Sequence, residues 1–308
     1  MRVIHDAEEF HSGGRKTCLA IGMFDGVHLG HQQVLRQTVL DARQHSAHAV
    51  AVTFDRHPNS VVAPERTPML IYSLPQKLRE IDKLGIHAIR LLEFTPELSR
   101  VPAAEFVRAL LRQFEQLQSI CVGRDFTFGF KRSGNLELLK QLGNELDFQV
   151  HGVPALSLDG KIVSSTRIRQ AIAVGHLEAA SQMLGRPYAI EGKVVQGDQL
   201  GRKIGFPTAN IAHDSLITPP FGVYAVQVRW EQSTFPGVVN IGVRPTVAEK
   251  NPPLRVEVYL IGFEGDLYGH QLELTFLGAI RPERKFATLE ELKKQIAVDI
   301  ESARKFFV

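Results

Sequence analysis

The chain has 308 residues, of which 44% are apolar and 22% charged, and a formal net charge of +3. This is the balance of an ordinary soluble globular protein with room for two domains. The small charge and the lack of a dense Lys/Arg stripe set nucleic acid aside, and no apolar run approaches the length of a membrane span.

Two cysteines, Cys18 and Cys121, lie inside apolar strand-like runs. They read as reduced core residues and not as a disulfide framework or metal site. The N-terminal Met-Arg-Val-Ile-His-Asp carries no signal-peptide core, so the expected location is cytoplasmic.

In chain order, Cys18 to Ile21 reads as a buried strand. It runs into Gly22-Met23-Phe24-Asp25-Gly26-Val27-His28-Leu29-Gly30-His31, and a helix follows with Val34, Leu35, Val39 and Ala42 on one stripe. Two histidines three apart therefore sit where a strand turns into a helix. The first backbone N–H groups of a helix are unpaired there and its dipole is positive, so an anion is favoured. Gly26 and Gly30 permit close approach to the backbone. We read the stretch as a phosphate site.

His48 to Phe54 is the next strand, ending in Asp55-Arg56-His57-Pro58. Those residues alone suit a turn as well as a ligand-contacting loop. Ser73 with Gln76 forms a capping box before a helix with Leu74, Leu78, Ile81 and Leu84 on one side and Gly85 at its end. Strand Ile86 to Phe94, a helix with Phe106, Leu110, Leu111 and Phe114, and strand Ser119 to Val122 follow. A loop with three phenylalanines, Val122 to Asn135, leads to a helix with Leu136, Leu139 and Leu142 and then strand Phe148 to Val153. Ser164-Ser165-Thr166-Arg167-Ile168-Arg169 opens another helix and can cradle an oxyanion with hydroxyls, amides and guanidiniums. Such alternation predicts an α/β, Rossmann-like domain with a mostly parallel sheet, whose ligands bind beyond the strand C-termini.

Leu184-Gly185-Arg186-Pro187-Tyr188 breaks the pattern. Short β-like runs follow at Tyr188 to Val195, Gly222 to Trp230, Gly237 to Ile241, Arg255 to Phe263 and Gln271 to Phe276. Their spacing predicts a small antiparallel β-barrel. A C-terminal helix closes the chain, with Thr288 and Glu291 as a capping box and Leu292, Ile296, Ile300 and Ala303 as its apolar face. The boundary is expected near Gly185, giving domains 1–185 and 186–308. Gly201-Arg202-Lys203-Ile204-Gly205-Phe206-Pro207-Thr208-Ala209-Asn210 is a Gly-bracketed basic loop, after which Thr208 and Asn210 share one face. That arrangement suits nucleotide and Mg²⁺.

The first stretch resembles the His-x-Gly-His signature of nucleotidyltransferases. More narrowly, it resembles the first motif of the bacterial bifunctional riboflavin kinase/FAD synthetase family, with Met23 where Asn is commoner. The resemblance covers about residues 15 to 307 and implies two activities. Riboflavin would be phosphorylated to FMN in the C-terminal barrel, and FMN adenylylated to FAD, with release of pyrophosphate, in the N-terminal domain.

The residue roles it implies are these. Gly22, Phe24, Asp25 and Gly30 would line the ATP phosphates, with His28 and His31 steadying the α-phosphoryl group. Ser164, Ser165, Thr166 and Arg167 would hold the pyrophosphate. Asp125, Phe126 and Phe128 would meet the flavin, Arg124 standing where Phe is commoner. In the barrel, Gly201, Lys203 and Gly205 would wrap nucleotide, Thr208 and Asn210 would ligate Mg²⁺, Glu257 would be the base, and Arg284 would lie near flavin. The implied partners are riboflavin, FMN, FAD and ATP/ADP, and no protein partner is indicated. A single-activity enzyme with one degenerate half, or a non-catalytic flavin or nucleotide sensor, stays open on the sequence. A retained Glu257 argues against the sensor.

Overall fold

The computed structural model describes residues 2–5, 9–10, 12–114, 116–197, 200–213, 215–243 and 254–307. Contacts divide the chain into two units, Met1–Leu70 with Leu74–Ser165, and Ile71–Ser73 with Thr166–Val308.

The first unit is built on strands β1 (Arg2–Ile4), β2 (Thr17–Ile21), β3 (His48–Phe54), β4 (Ala88–Leu92), β5 (Leu117–Gly123) and β6 (Gln149–Val153). They form a six-stranded sheet in the order β1-β4-β3-β2-β5-β6, with every neighbouring pair parallel. The period-two alternation of each strand sorts its side chains to two faces. Cys18, Ala20, Ala49, Ala51 and Cys121 pack against Val34, Leu35, Val39 and Ala42 of α1 (Leu29–Gln44) and Ile81 of α2 (Leu74–Asp82). Their small size lets α1 lie close to the sheet. Leu19, Ile21, Val50, Val52, Ile120 and Val122 pack against α3 (Ala103–Gln113) and α4 (Leu136–Leu146). Full burial of each such branched side chain contributes about 1.5–3 kcal/mol.

From β2 the chain moves outward to β3 and β4 on one side, and later to β5 and β6 on the other. The crevice of the fold therefore lies beyond the C-terminal ends of β2 and β5. The parallel sheet matches the expectation. Edge strand β1, only three residues long, is an addition that carries no periodic signal.

The second unit holds α5 (Ser165–Ala173), of which Ser165 belongs to the first unit, and α6 (Leu177–Leu184). It also holds a closed antiparallel barrel of β7 (Ala189–Val195), β8 (Ala209–Ile211), β9 (Gly222–Trp230), β10 (Ser233–Val243), β11 (Leu254–Leu260) and β12 (Gln271–Pro282). The barrel order is β8-β11-β10-β9-β12-β7, and closure leaves no open edge. The sixth strand, β8, starts at the Ala209-Asn210 end of the Pro-Thr-Ala-Asn segment. Tyr224, Val226, Val239, Val256, Val258 and Phe276 are all buried, and register places them on one face.

Helix α7 (Leu289–Arg304) begins at the expected capping box. The Glu291 N–H donates to Thr288 Oγ1 at 3.2 Å, and the Ala287 N–H donates to Glu291 Oε2 at 3.1 Å. Ile300 and Ala303 then pack on Val223, Ala225 and Val238, which are on the barrel's other face. The compact units part earlier than Gly185, because α6 and residues 71–73 pack with the barrel unit. Arg186 Nε donates to the Tyr72 hydroxyl at 3.1 Å, and the Tyr188 N–H donates to Ser181 Oγ at 3.2 Å.

Candidate functional site

In the first unit, the turn after β2 is tightly wound. Phe24 has φ 51°, Gly26 φ 75° and Val27 φ 39°. Positive φ costs a bulky or β-branched residue about 1–3 kcal/mol, and such strain persists only where packing enforces it. Here the packing is plain. Phe24 and Val27 are fully buried, and the Phe24 ring lies so close to Gly22 that a Cβ at Gly22 would come within 2.8 Å of it. Phe24 meets His31 edge to face at 5.4 Å.

His28 is the N-cap of α1, its Nδ1 accepting the His31 N–H at 3.3 Å. That bond fixes the tautomer, leaving Nε2 as the protonated, donating nitrogen. The two imidazoles stack with centroids 3.6 Å apart. His31 Nδ1 is buried without a hydrogen-bond partner. Burial, then the charges of His28 and Lys77, hold the His31 pKa well below the ordinary histidine range, so it is a neutral imidazole. Because His28 satisfies the His31 amide, the amides that open the helix are those of Leu29 and Gly30. A Cβ at Gly30 would come within 3.2 Å of the His28 ring.

Two neighbouring loops close on this turn. Ser165 Oγ donates to the Asp25 carbonyl at 3.1 Å, which brings the start of α5 to the histidine turn across 140 residues of sequence. Thr53 Oγ1, at the end of β3, donates to the Met23 carbonyl at 3.1 Å. Met23 is thus held through its backbone, which the side chain at that position does not alter. Sequence reading missed Lys77. On α2 it looks like one more helix-surface charge, yet it is 4% exposed, with Nζ 2.6 Å from the Phe54 carbonyl.

The aromatic loop divides in two. Phe128 is buried among the core residues and near Phe106, while Phe126 is half-buried and stacks on Phe128 at 5.4 Å. Phe128 and Gly134 exchange backbone hydrogen bonds at 3.1 and 2.9 Å, so the loop's base is rigid. Asp125 and Arg124 are exposed. A cavity of about 570 Å³, lined by Arg124, Lys140, His151 and Pro154 among others, opens beside it. Ser164 and Arg167 are half-buried and Thr166 is exposed.

In the second unit, antiparallel register sets Glu257 opposite Asn210 on β8 and opposite Asn240 on β10. Directly opposed residues project to the same face, so Asn210, Glu257 and Asn240 form one polar row, with Thr208 two residues before Asn210. This is the face that also carries Tyr259 and Val238, against which α7 packs. Asn240 was not singled out from sequence. An Asn inside a Val-Val-Asn-Ile run, on the strand paired with the Glu257 strand, is the signal that could have found it. Arg255 lies 3.9 Å from Glu257.

The basic loop turns tightly. The Phe206 N–H donates to the Gly201 carbonyl at 2.8 Å, and Gly205 has φ 91°. A Cβ at Gly201 would lie 2.3 Å from the Phe206 carbonyl oxygen, and one at Gly197 would lie 2.2 Å from Asn210 Nδ2. The side chain of Lys203 lies outside the described residues. Arg284 lies over the Phe286 ring at 4.7 Å and hydrogen-bonds Gln295 of α7. Gln295 in turn donates to Asp299 at 2.7 Å, and Asp299 binds Arg281 through both carboxylate oxygens.

Comparisons agree with this division. The family model for FAD synthetase matches residues 11–167, and the one for riboflavin kinase matches residues 184–307. The chain is 37% identical over 309 residues to a protein named bifunctional riboflavin kinase/FMN adenylyltransferase from Escherichia coli K12, covering 100% of this chain and 98% of that one. It is 36% identical to the protein of the same name from Haemophilus influenzae, again covering 100% and 98%. A crystal structure from Streptococcus pneumoniae named as a macrolide-efflux protein superposes with a TM-score of 0.83 at 30% identity, covering 98% of each chain. Among the described residues of this chain, no helix is long and apolar enough to cross a membrane.

Proposed function

The chain belongs to the bifunctional riboflavin kinase/FMN adenylyltransferase family, and from that premise we propose which residues carry each of its two reactions. It phosphorylates riboflavin to FMN and adenylylates FMN to FAD, with ATP as the second substrate of each.

Adenylyl transfer belongs to the first module, residues 1–185, and riboflavin phosphorylation to 186–308. In the first reaction a phosphate oxygen of FMN attacks the α-phosphorus of ATP, and the bond to pyrophosphate breaks. The nucleophile is already an anion, so no strong base is needed, and catalysis is positioning plus charge stabilisation. His28 Nε2–H donates to an α-phosphoryl oxygen, and neutral His31, stacked on His28, steadies the same group. Gly22, Phe24, Asp25 and Gly30 shape the turn so that the Leu29 and Gly30 amides meet the phosphates. Ser164, Ser165, Thr166 and Arg167 hold the departing pyrophosphate. The observation that carries this assignment is the Ser165–Asp25 hydrogen bond, which joins the second phosphate-binding motif to the first.

Flavin contacts fall to Asp125 and the outer edge of Phe126. Phe128 supports Phe126 from the core. The cavity beside Arg124 has room for the ring system of one substrate.

In the second reaction the ribityl 5′-hydroxyl attacks the γ-phosphorus, ADP leaves, and Glu257 takes the hydroxyl proton. Gly201, Lys203 and Gly205 wrap nucleotide. Thr208 and Asn210 fit Mg²⁺, because both carry oxygen donors and Asn210 lies opposite Glu257 in register. When bound, Mg²⁺ supplies charge neutralisation on the transferring phosphates. Arg284 contributes to the flavin site from the 281–286 segment, where it packs on Phe286 and hydrogen-bonds Gln295.

A cytoplasmic setting fits two buried thiols, Cys18 and Cys121, each pushed up to about 12 by burial.

Position-labelled ATP, given to the wild type and to His28→Ala, tests the assignment: the variant should take γ-label into FMN and put no α-label into FAD. Label at the γ-phosphate enters FMN and is retained in FAD, whereas α-label enters only FAD. Appearance of α-label in FMN, or of γ-label only in released phosphate, would contradict it.

A further inference from the structure

Lys77 has no place in the two reactions as derived so far, yet it is among the most buried charged groups in the first unit. It sits in the second turn of α2, on the face that carries Ile81 into the core. Its Nζ donates to the Phe54 carbonyl at 2.6 Å, and lies 3.4 Å from the Met23 carbonyl and 3.4 Å from Thr53 Oγ1. The Met23 carbonyl is itself held by Thr53. One ammonium therefore ties together the turn that follows β2 and the end of β3. A buried ammonium is costly even when hydrogen-bonded to carbonyls and a hydroxyl, which sets Lys77 apart from a lysine on a solvated helix face. The titratable groups facing it are Asp25 in the histidine turn, Asp55 after β3 and the neutral His31 on α1.

Given the reading of the histidine turn as the adenylyl-transfer site, we propose that Lys77 is a positioning residue of that reaction. Its ammonium clamps the Met23 and Phe54 carbonyls, which fixes the turn carrying His28 and places a positive charge beneath the phosphates. It touches neither substrate and acts through the turn. The protonated form supplies the positive charge and the stronger, charge-assisted hydrogen bonds of the clamp. Burial pushes Lys77 down to about 8, against the pull of Asp25 and Asp55, so the clamp loosens just above neutral pH.

The test uses the full chain carrying Lys77→Met, assayed for both reactions. Displacing a phosphate-binding turn by a fraction of an ångström costs about tenfold or more in rate. The expected result is at least a tenfold lower kcat for FAD formation from supplied FMN, KM for ATP within about threefold, and unchanged riboflavin phosphorylation. The alkaline limb of the wild-type adenylylation profile, near pH 8, should be absent from the variant. Unchanged kcat, or an unchanged alkaline limb, would overturn the proposal. If Lys77→Met lowers both activities together, Lys77→Gln replaces it, since it keeps a polar donor of similar length and removes only the charge. Loss of adenylylation alone supports the clamp, and retention overturns it. His28→Ala run alongside separates the two levels. If His28→Ala still makes FAD, the site reading itself has failed. If only Lys77→Met still does, the clamp alone has failed.

Discussion

The imidazole of His28 accepts the backbone N–H of His31 at 3.3 Å while the two rings stack 3.6 Å apart. One residue thus caps the helix and keeps its other nitrogen as a donor. Capping and catalysis can be separated by substitution. His28→Ala removes both and should abolish FAD formation, spare riboflavin phosphorylation, and cost about 1 kcal/mol in stability. His28→Asn restores a cap and the stability but no imidazole, so adenylylation should stay lost. Thermal unfolding read beside both activities checks the pair. Recovery of adenylylation in His28→Asn would mean that the cap is all the histidine provides.

Glu257 lies between Asn210 and Asn240 in register. The attacking group in the kinase reaction is a neutral alcohol, so loss of the base should be felt strongly. Glu257→Gln should lower kinase kcat about 10²–10⁴-fold and leave conversion of supplied FMN to FAD unchanged. Steady-state assays of the two half-reactions check it.

Phe126 and Phe128 stack on each other but occupy different surroundings. Phe128→Ala opens a hole in the core and should destabilise the first unit by about 3–5 kcal/mol. Phe126→Ala should leave the unfolding midpoint close to wild type and raise KM for FMN. Denaturant melts and FMN titrations distinguish them. Equal loss of stability in both variants would remove the flavin role of Phe126.

Lys77 also leaves a signature in stability. Its folded pKa is lowered from 10.5 to about 8, so between those values the unfolded chain binds more protons than the folded one. Stability of the wild type relative to Lys77→Met should therefore rise as pH climbs from about 8 to about 10.5. The full shift is worth about 3 kcal/mol. Denaturant unfolding at a series of pH values measures it, and a flat difference would show that the ammonium is not desolvated.

The legible parts of the molecule were those with short-range signals. The His28–His31 turn, the Thr288 capping box and the alternation of Val256, Glu257 and Val258 are all set by neighbours within four residues, and the structure carries each of them. What could not be read depends on distant partners. Lys77 has the composition of a solvated helix face, and only the approach of Phe54 and Met23 buries it. Asn240 matters because β10 and β11 pair in one particular register. Strand β1 is too short to show a period and exists because β4 offers it an edge. Phe128 shares its loop with Phe126, and nothing local says which ring turns inward.

The central claim is that two separate sites act in sequence through FMN. Complementation between the two inactive variants tests it directly. With riboflavin, ATP and Mg²⁺, His28→Ala should stop at FMN and Glu257→Gln should make almost nothing. An equimolar mixture should make FAD, as read by chromatography of the flavins. FAD from either variant alone, or none from the mixture, would contradict the account.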